Sequence, residues 1–251
     1  MVTTSRRAAA AGAALALAFV ALRPVPARGE PDGALSAAGT AFGARFRLSM
    51  ASAGGAPERS EGSLFLLPDG RICVRVERPI RQDLLLSRER IVIHYPERSL
   101  ILTADVRKGQ VPPMLDSVVA GLGEASRLLP ANSTLASRAV EAGLLRTRWN
   151  LPAVADGGGT VDVTEKGEGV VSFELRGTDG VVKRRYDFGP RQRVGRLRVP
   201  TTVRGDYRDP KGAVSRTEEW TLDGLTAEVA PTLARDCSGE GTASRREVLP
   251  W

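Results

Sequence analysis

The side chains best suited to chemistry are few and scattered in this sequence. The chain of 251 residues contains one histidine, His94, and two cysteines, Cys73 and Cys237. An activated nucleophile or a zinc site needs His, Cys and carboxylate side chains that meet in one place. The sequence has neither such a cluster nor a Gly-x-Ser-x-Gly motif. His94 lies in the strand-like run Ile93-His94-Tyr95, which indicates a structural or surface role.

Paired carboxylates are the remaining route to catalysis. Glu218 and Glu219 are adjacent, and Asp206 lies close to Asp209. Glycoside hydrolysis uses two carboxylates that face one bond. Neighbouring residues of a β-strand point to opposite faces of the sheet, so Glu218 and Glu219 do not form such a pair. The sequence therefore predicts no catalytic residue, no metal ligand and no cofactor, and the protein is not expected to be an enzyme.

Residues 1–27 have the layout of a secretory signal peptide. Two arginines precede an uncharged apolar run over 8–22, and small residues follow, with cleavage expected after Ala27 or Gly29. The apolar run is shorter than the ~20 residues that span a membrane. We therefore expect an exported protein. Export places Cys73 and Cys237 where a disulfide can form, and the sequence leaves open whether they pair.

The charge of the chain is mildly basic, with 36 Lys and Arg against 29 Asp and Glu. The densest basic segment is 183–208, which contains nine basic residues but only Asp187 and Asp206 as acids. An exported protein is not expected to meet nucleic acid. The segment is therefore interpreted as a solvated strand face, with contact to anionic headgroups or to an acidic partner protein as the alternative.

Alternation of apolar and polar residues predicts β-strands from residue 41 onward. Short runs over 84–86, 91–93 and 100–102 are apolar on both faces, so they need cover on both sides or an apolar ligand on one. About twelve strands are expected, in two blocks. The residues predicted to share one concave, lipid-binding face are Phe46, Leu48, Met50, Ile72, Val74, Val76, Val171, Phe173 and Leu175.

Between the two blocks the period changes from that of strands to that of helices. A first helix is predicted to begin at Pro112-Pro113, and its short apolar stripe suits a lid over the concave face. A second helix is predicted over 133–145. The residues of the lid stripe are Met114, Leu115, Val118, Val119 and Leu122.

The order of several short motifs resembles that of the periplasmic outer-membrane lipoprotein carriers, the LolA-like family. The resemblance spans roughly residues 41–225. Each motif is short, and their common order carries the likeness. The motifs are Glu61-Gly62-Ser63-Leu64-Phe65, Arg71-Ile72-Cys73-Val74-Arg75-Val76-Glu77-Arg78-Pro79, Leu84-Leu85-Leu86-Ser87, Ile91-Val92-Ile93-His94-Tyr95-Pro96, Val199-Pro200, Tyr207 and Glu218-Glu219-Trp220.

This resemblance implies a mainly β fold, an unclosed antiparallel β-barrel or half-barrel with a short helical lid inserted between two strand blocks. The carrier domain would cover 40–225, followed by a polar C-terminal tail over 226–251. It implies a periplasmic carrier that shields the acyl chains of a lipoprotein or other lipid in an apolar cavity during transfer towards the outer membrane. The expected partners are that cargo and the transfer proteins of the inner and outer membranes, and the carrier is expected to be a monomer. The alternative is a periplasmic regulator or adaptor of the same fold that senses lipid or protein.

Overall fold

The structure is a computed structural model that describes residues 41–87, 90–105, 129, 132–153, 158–167, 169–230, 232–239 and 245–248. These residues form sixteen strands and one α-helix. The strands before the gap at 106–128 are β1 (Phe42–Ser52), β2 (Glu58–Leu66), β3 (Ile72–Arg78), β4 (Gln82–Leu86), β5 (Arg90–Tyr95) and β6 (Leu100–Asp105). The elements after it are β7 (Thr134–Glu141), β8 (Leu144–Leu151), β9 (Gly159–Lys166), β10 (Gly169–Arg176), β11 (Val182–Phe188), β12 (Arg191–Val194), β13 (Leu197–Pro200), β14 (Thr202–Arg208), β15 (Val214–Thr226), α1 (Leu233–Ser238) and β16 (Arg245–Val248).

Fourteen strands belong to one sheet, in the order β16-β6-β5-β4-β3-β2-β1-β15-β14-β11-β10-β9-β8-β7. All neighbours in it are antiparallel except β16, which runs parallel to β6. Strands β12 and β13 form a separate two-stranded hairpin. The large sheet is unclosed, since β16 and β7 lie at its two ends. The chain therefore has the mainly β, open-barrel architecture that the sequence predicts.

The alternation of residue types along β1 fixes which side of the sheet is buried. Phe46 and Leu48 are buried, whereas Arg45 and Arg47 have side chains that are 77% and 67% exposed. Residues of one strand with even spacing share a face. We call the face that carries Phe46 and the main hydrophobic core the inner face, and the opposite one the outer face.

A smaller hydrophobic cluster holds α1 against the outer face. Leu233 and Cys237 of α1 are buried against Cys73 and Leu85 of the sheet. Cys73 and Cys237 form a disulfide, with Cα atoms 6.1 Å apart. The pairing that the sequence left open is therefore present, and it joins β3 to α1.

The helix predicted over 133–145 is wrong, because these residues belong to the hairpin of β7 and β8. The hairpin turns at Ala142 and Gly143, whose φ angles are 49° and 75°. Two successive positive φ angles define the tight turn whose twist matches that of antiparallel strands. The apolar residues in this segment lie at helical spacing, so their periodicity gave no indication of the turn.

The polar tail predicted over 226–251 contains two elements, α1 and β16. Leu233 and Cys237 of this segment bury their side chains on the outer face, which a solvated polar tail would not do. The predicted lid stripe lies outside the described residues: Met114, Leu115, Val118, Val119 and Leu122. Among the residues that are described, no helix has the length and hydrophobicity needed to cross a membrane.

Candidate functional site

Two adjacent rows of the inner face are apolar across the whole β1–β6 half of the sheet. Strand register aligns its side chains in rows that run perpendicular to the strands, so each row forms a continuous apolar band. One row is Phe42, Leu66, Ile72, Leu86, Ile91 and Ala104. The next row is Ala44, Leu64, Val74, Leu84, Ile93 and Leu102.

Several apolar and aromatic residues of the inner face remain partly exposed. They pack against the core but are not fully covered by it, so they offer apolar surface to a ligand. Contact with such a surface stabilises a bound acyl chain by ~0.8 kcal/mol for each buried methylene. On the strands of the large sheet these residues are Met50, Tyr95, Leu102, Trp149, Phe173, Tyr207 and Leu225.

The structure brings eight of the nine predicted lipid-binding residues together on this face. Val171 is the exception. The pairing of β10 with β9 shifts register between Val170 and Ser172, and Val170 is the residue that enters the core there. Such a bulge moves the following residues by one position relative to simple alternation. The buried members are Phe46, Leu48, Ile72, Val74, Val76 and Leu175, and the partly buried members are Met50 and Phe173.

A polar group interrupts the inner face on β11, β14 and β15. Glu218 is fully buried and is paired with Arg216 of its own strand. The Tyr207 hydroxyl donates a hydrogen bond to Glu218 Oε2 at 3.1 Å, and the hydroxyls of Tyr186 and Tyr207 are hydrogen-bonded at 3.2 Å. Burial, with Tyr186 and Glu218 nearby, raises the pKa of Tyr207, so its hydroxyl stays protonated. The sequence analysis did not predict this buried polar group. The available signal was that Glu218 and Trp220 are two residues apart on one strand, so their side chains share a face.

Ion pairs on the outer face hold Lys183, Arg185 and Arg204 of the basic segment over 183–208. Arg185 contacts Asp187 at 2.9 Å and Glu174 at 3.0 Å. Arg204 contacts Glu219 at 3.3 Å. The pairs with Glu174 and Glu219 join neighbouring strands. They favour the interpretation of this part of the segment as a solvated strand face over an anion-binding patch.

The same ladder of charges continues to Asp162 on β9. Arg148 Nη2 and Arg176 Nε donate hydrogen bonds to Asp162 Oδ2 at 2.9 Å and 3.0 Å. Burial acts to raise the pKa of Asp162, but the hydrogen bonds from the two guanidinium groups outweigh it and hold the pKa below its usual value. The carboxylate is thus kept charged, and its role is to bind three strands together.

A cavity of about 620 Å³ lies on the outer face beside α1. Asp83 Oδ2 is 3.7 Å from His94 Nδ1 and Asp83 Oδ1 is 3.6 Å from Arg75 Nε, while Arg75 also reaches Asp236 of α1 at 3.9 Å. Burial raises the pKa of Asp83. The lining is charged, which does not suit an acyl chain, and it includes no hydroxyl or thiol. This cluster ties α1 to the sheet.

Neither a metal-binding cluster nor a related sequence assigns a function to the described residues. No group of three or more His, Cys, Asp or Glu side chains that suits a metal ion occurs in the described part of the chain. No family model matches the sequence, and a search of curated proteins found no match.

The fold itself has counterparts among solved structures. A LolA superfamily protein from Nitrosomonas europaea superposes with a TM-score of 0.52 at 11% identity, covering 77% of this chain and 88% of the other. A DUF1329 family protein from Desulfovibrio piger gives 0.54 at 9% identity, covering 79% and 90%. A putative outer membrane lipoprotein-sorting protein domain from Vibrio parahaemolyticus gives 0.52 at 9% identity, covering 78% and 90%. The chain therefore has a LolA-like fold.

Proposed function

We propose that this protein is a periplasmic carrier that shields the acyl chains of a lipoprotein or other lipid on the apolar inner face of its sheet. The observation that carries the proposal is the continuity of two apolar rows of that face across β1–β6, with partly exposed residues such as Met50, Tyr95 and Leu102 beside or within them. Most residues of these rows are buried, and the partly covered members are where an acyl chain would make contact. The LolA-like fold supports the same function.

Transport of this kind requires binding and release but no bond-making chemistry. Burial of acyl methylenes supplies the affinity, and it is roughly proportional to the apolar area removed from water. The predicted signal peptide over 1–27 supports a place in the periplasm, and transfer towards the outer membrane is the direction that the resemblance implies.

The first experiment asks whether lipid accompanies the protein. The protein is purified from the envelope of an expressing bacterium, extracted with organic solvent, and the extract is examined by mass spectrometry. We expect a stoichiometric amount of acylated lipid or lipoprotein. An extract without any acylated species, from protein that also takes up no fluorescent fatty-acyl probe, would overturn the proposal.

The second experiment places the site on the inner face. Leu102 is partly exposed there, and in Leu102→Glu a carboxylate would lie where acyl chains bind. Ser63→Glu is the matched control, because Ser63 lies on the outer face between its strand partners Arg45 and Arg75, which favour an added carboxylate. We expect Leu102→Glu to lose uptake of the fatty-acyl probe while Ser63→Glu retains it, with both variants folded by circular dichroism. Equal uptake by the two variants would reject the inner face as the site.

A further inference from the structure

The hairpin of β12 and β13 carries four arginines and no acidic residue over 191–198. Register places Arg193 of β12 directly opposite Arg198 of β13. Residues opposite each other in an antiparallel pair share a face, as do residues two apart on one strand. Arg191, Arg193 and Arg198 therefore lie on one face of the hairpin, and Arg196 belongs to its two-residue turn.

The other face of the hairpin is apolar and packs on the main core. Val194 and Val199 are buried there, and Leu197 is partly buried against the same hydrophobic cluster. Strand β12 lies against β15, and the backbone N–H of Leu222 donates to the carbonyl of Thr201 at 2.8 Å. The hairpin is thus fixed on the inner side of the sheet, with its arginines on the face away from Val194 and Val199.

The arginines of this hairpin repel one another. Like charges directly opposite on two paired strands destabilise the pairing, and Arg193 and Arg198 are placed in this way. Burial, and after it the charge of Arg198, lowers the pKa of Arg191. The charged face therefore does not hold the hairpin in place, and the burial of Val194 and Val199 does.

The carboxylates of the neighbouring strands do not neutralise the turn of the hairpin. Among the described residues, Glu165 of β9 and Glu228, which follows β15, make no ion pair with Arg193 or Arg196. The other carboxylates of β9, β10, β11, β14 and β15 that have arginine partners outside the hairpin are Asp162, Glu174, Asp187, Asp206, Glu218, Glu219 and Asp223.

Two exposed guanidinium groups at the turn thus have no anionic partner within the described ranges. Arg193 Nε donates a hydrogen bond to the carbonyl of Gly195 at 3.1 Å, which leaves its charge uncompensated. Arg196 is exposed in the turn itself. We call Arg193 and Arg196 the basic tip. Their charge favours an anionic partner, and their exposure leaves them open to an extended surface.

We infer that the basic tip docks the protein onto an anionic lipid bilayer. Each arginine close to a negatively charged leaflet adds attraction. Because the hairpin packs on the inner side of the sheet, docking through it brings the apolar inner face close to the bilayer. The choice of a bilayer as the partner rests on the proposed function, since a lipid carrier must take its cargo from a membrane or deliver it to one.

The test measures co-sedimentation of the mature chain with phosphatidylcholine vesicles, prepared with or without phosphatidylglycerol. We expect binding to the vesicles that contain phosphatidylglycerol, and release as the salt concentration rises, because exposed charges are screened. Glycerol phosphate, the free headgroup, should not displace the protein. Displacement by glycerol phosphate would indicate a site for a free anion and overturn the inference. An absence of binding to the anionic vesicles at low salt would also overturn it and would favour an acidic protein as the partner.

A double variant assigns the binding to the basic tip. Arg193→Gln with Arg196→Gln should weaken binding to anionic vesicles by about fivefold for each arginine removed. Arg45→Gln with Arg47→Gln is the matched control, because it removes the same charge from the outer face of β1. This control should bind the vesicles nearly as well as the wild type, with both variants folded by circular dichroism. Equal weakening in the two variants would attribute the attraction to net charge and overturn the inference.

Docking on a bilayer and transport of lipid fail separately. Leu102→Glu, which should lose uptake of the fatty-acyl probe, is expected to sediment with anionic vesicles as the wild type does. A wild type that takes up the probe but does not sediment would refute docking and leave the carrier. A wild type that sediments but takes up no probe would refute the carrier and leave docking.

Discussion

Phe46 of β1 and Trp220 of β15 are packed with their ring centroids 5.4 Å apart and their planes inclined by 46°. Both side chains are buried, and the pair lies where the two halves of the sheet meet. Aromatic pairs in this geometry contribute beyond the area that they bury. The junction between the halves is thus one of the best-packed parts of the inner face.

Removal of an aromatic side chain at this junction should destabilise the protein. Phe46→Ala is expected to lower the free energy of unfolding by about 3–5 kcal/mol, because it removes a buried ring and leaves a cavity. Urea denaturation of the mature chain provides the measurement. Arg47→Ala, next along the strand with a side chain that is 67% exposed, should change the free energy by less than about 0.5 kcal/mol. Similar losses in the two variants would contradict the assignment of faces.

The disulfide should account for a large share of the stability. Cys73 and Cys237 are 164 residues apart, and cross-linking so long a loop stabilises by about 5 kcal/mol in the chain-entropy description. The double variant Cys73→Ser, Cys237→Ser should lose a comparable amount in urea denaturation. Reductant should destabilise the wild type to the level of the variant and leave the variant unaffected. A wild type that is insensitive to reductant after unfolding would speak against the bond.

Gly62 is required by the close approach of β2 and β3. A Cβ atom at this position would lie 1.8 Å from the backbone oxygen of Arg75, which cannot move without breaking the strand pairing. Gly62→Ala should therefore lower the free energy of unfolding by about 3 kcal/mol, the upper end of the cost of overpacking. Gly55→Ala is the control, since its nearest neighbour would be 3.5 Å away. Thermal unfolding of the two variants should differ clearly, and equal melting temperatures would refute the argument.

Asp162 should make the stability depend on acid pH. Its pKa is lower in the folded chain than the 3.8 of an unperturbed side chain, so its contribution is complete above that value and is lost as the pH falls through the folded pKa. The stability difference between wild type and Asp162→Asn, measured by urea denaturation between about pH 5 and pH 2, should shrink towards low pH. Glu141→Gln is the control, because it removes a carboxylate whose ion pair with Arg146 is exposed. Its free energy of unfolding should differ little from that of the wild type at either pH. If the stability difference between wild type and Asp162→Asn increased as the pH fell, it would contradict the lowered pKa of Asp162.

Simple alternation was sufficient to predict which residues of β1 and β3 lie on the inner face. Phe46 and Val74 lie on the inner face, whereas Arg45 and Cys73 lie on the outer face. Alternation is reliable there because successive side chains of a regular strand point to opposite faces of the sheet. It failed at Val171, because a bulge adds a residue to one strand without leaving a signature in the order of residue types.

Features that depend on long-range contacts were beyond prediction from the sequence. The burial of Glu218 follows from its partners Arg216 and Tyr207, which pairing between β14 and β15 brings together. The disulfide depends on where α1 packs, and α1 comes from a segment that looked like a polar tail. The sequence of residue types specified the local periods, but it did not specify which distant strands become neighbours.

The pairing of β1 with β15 also has a consequence for how the chain folds. Strands β2–β6 and β7–β11 join neighbours that are close in sequence, so each half is built from local hairpins. The seam between the halves joins residues 42–52 to residues 214–226, and closing so long a loop carries an entropic cost before any contact forms. Topologies dominated by such distant pairings fold slowly. A nascent chain cannot close this seam until residues 214–226 have been synthesised, so β1 must wait for β15 before the two halves can be joined.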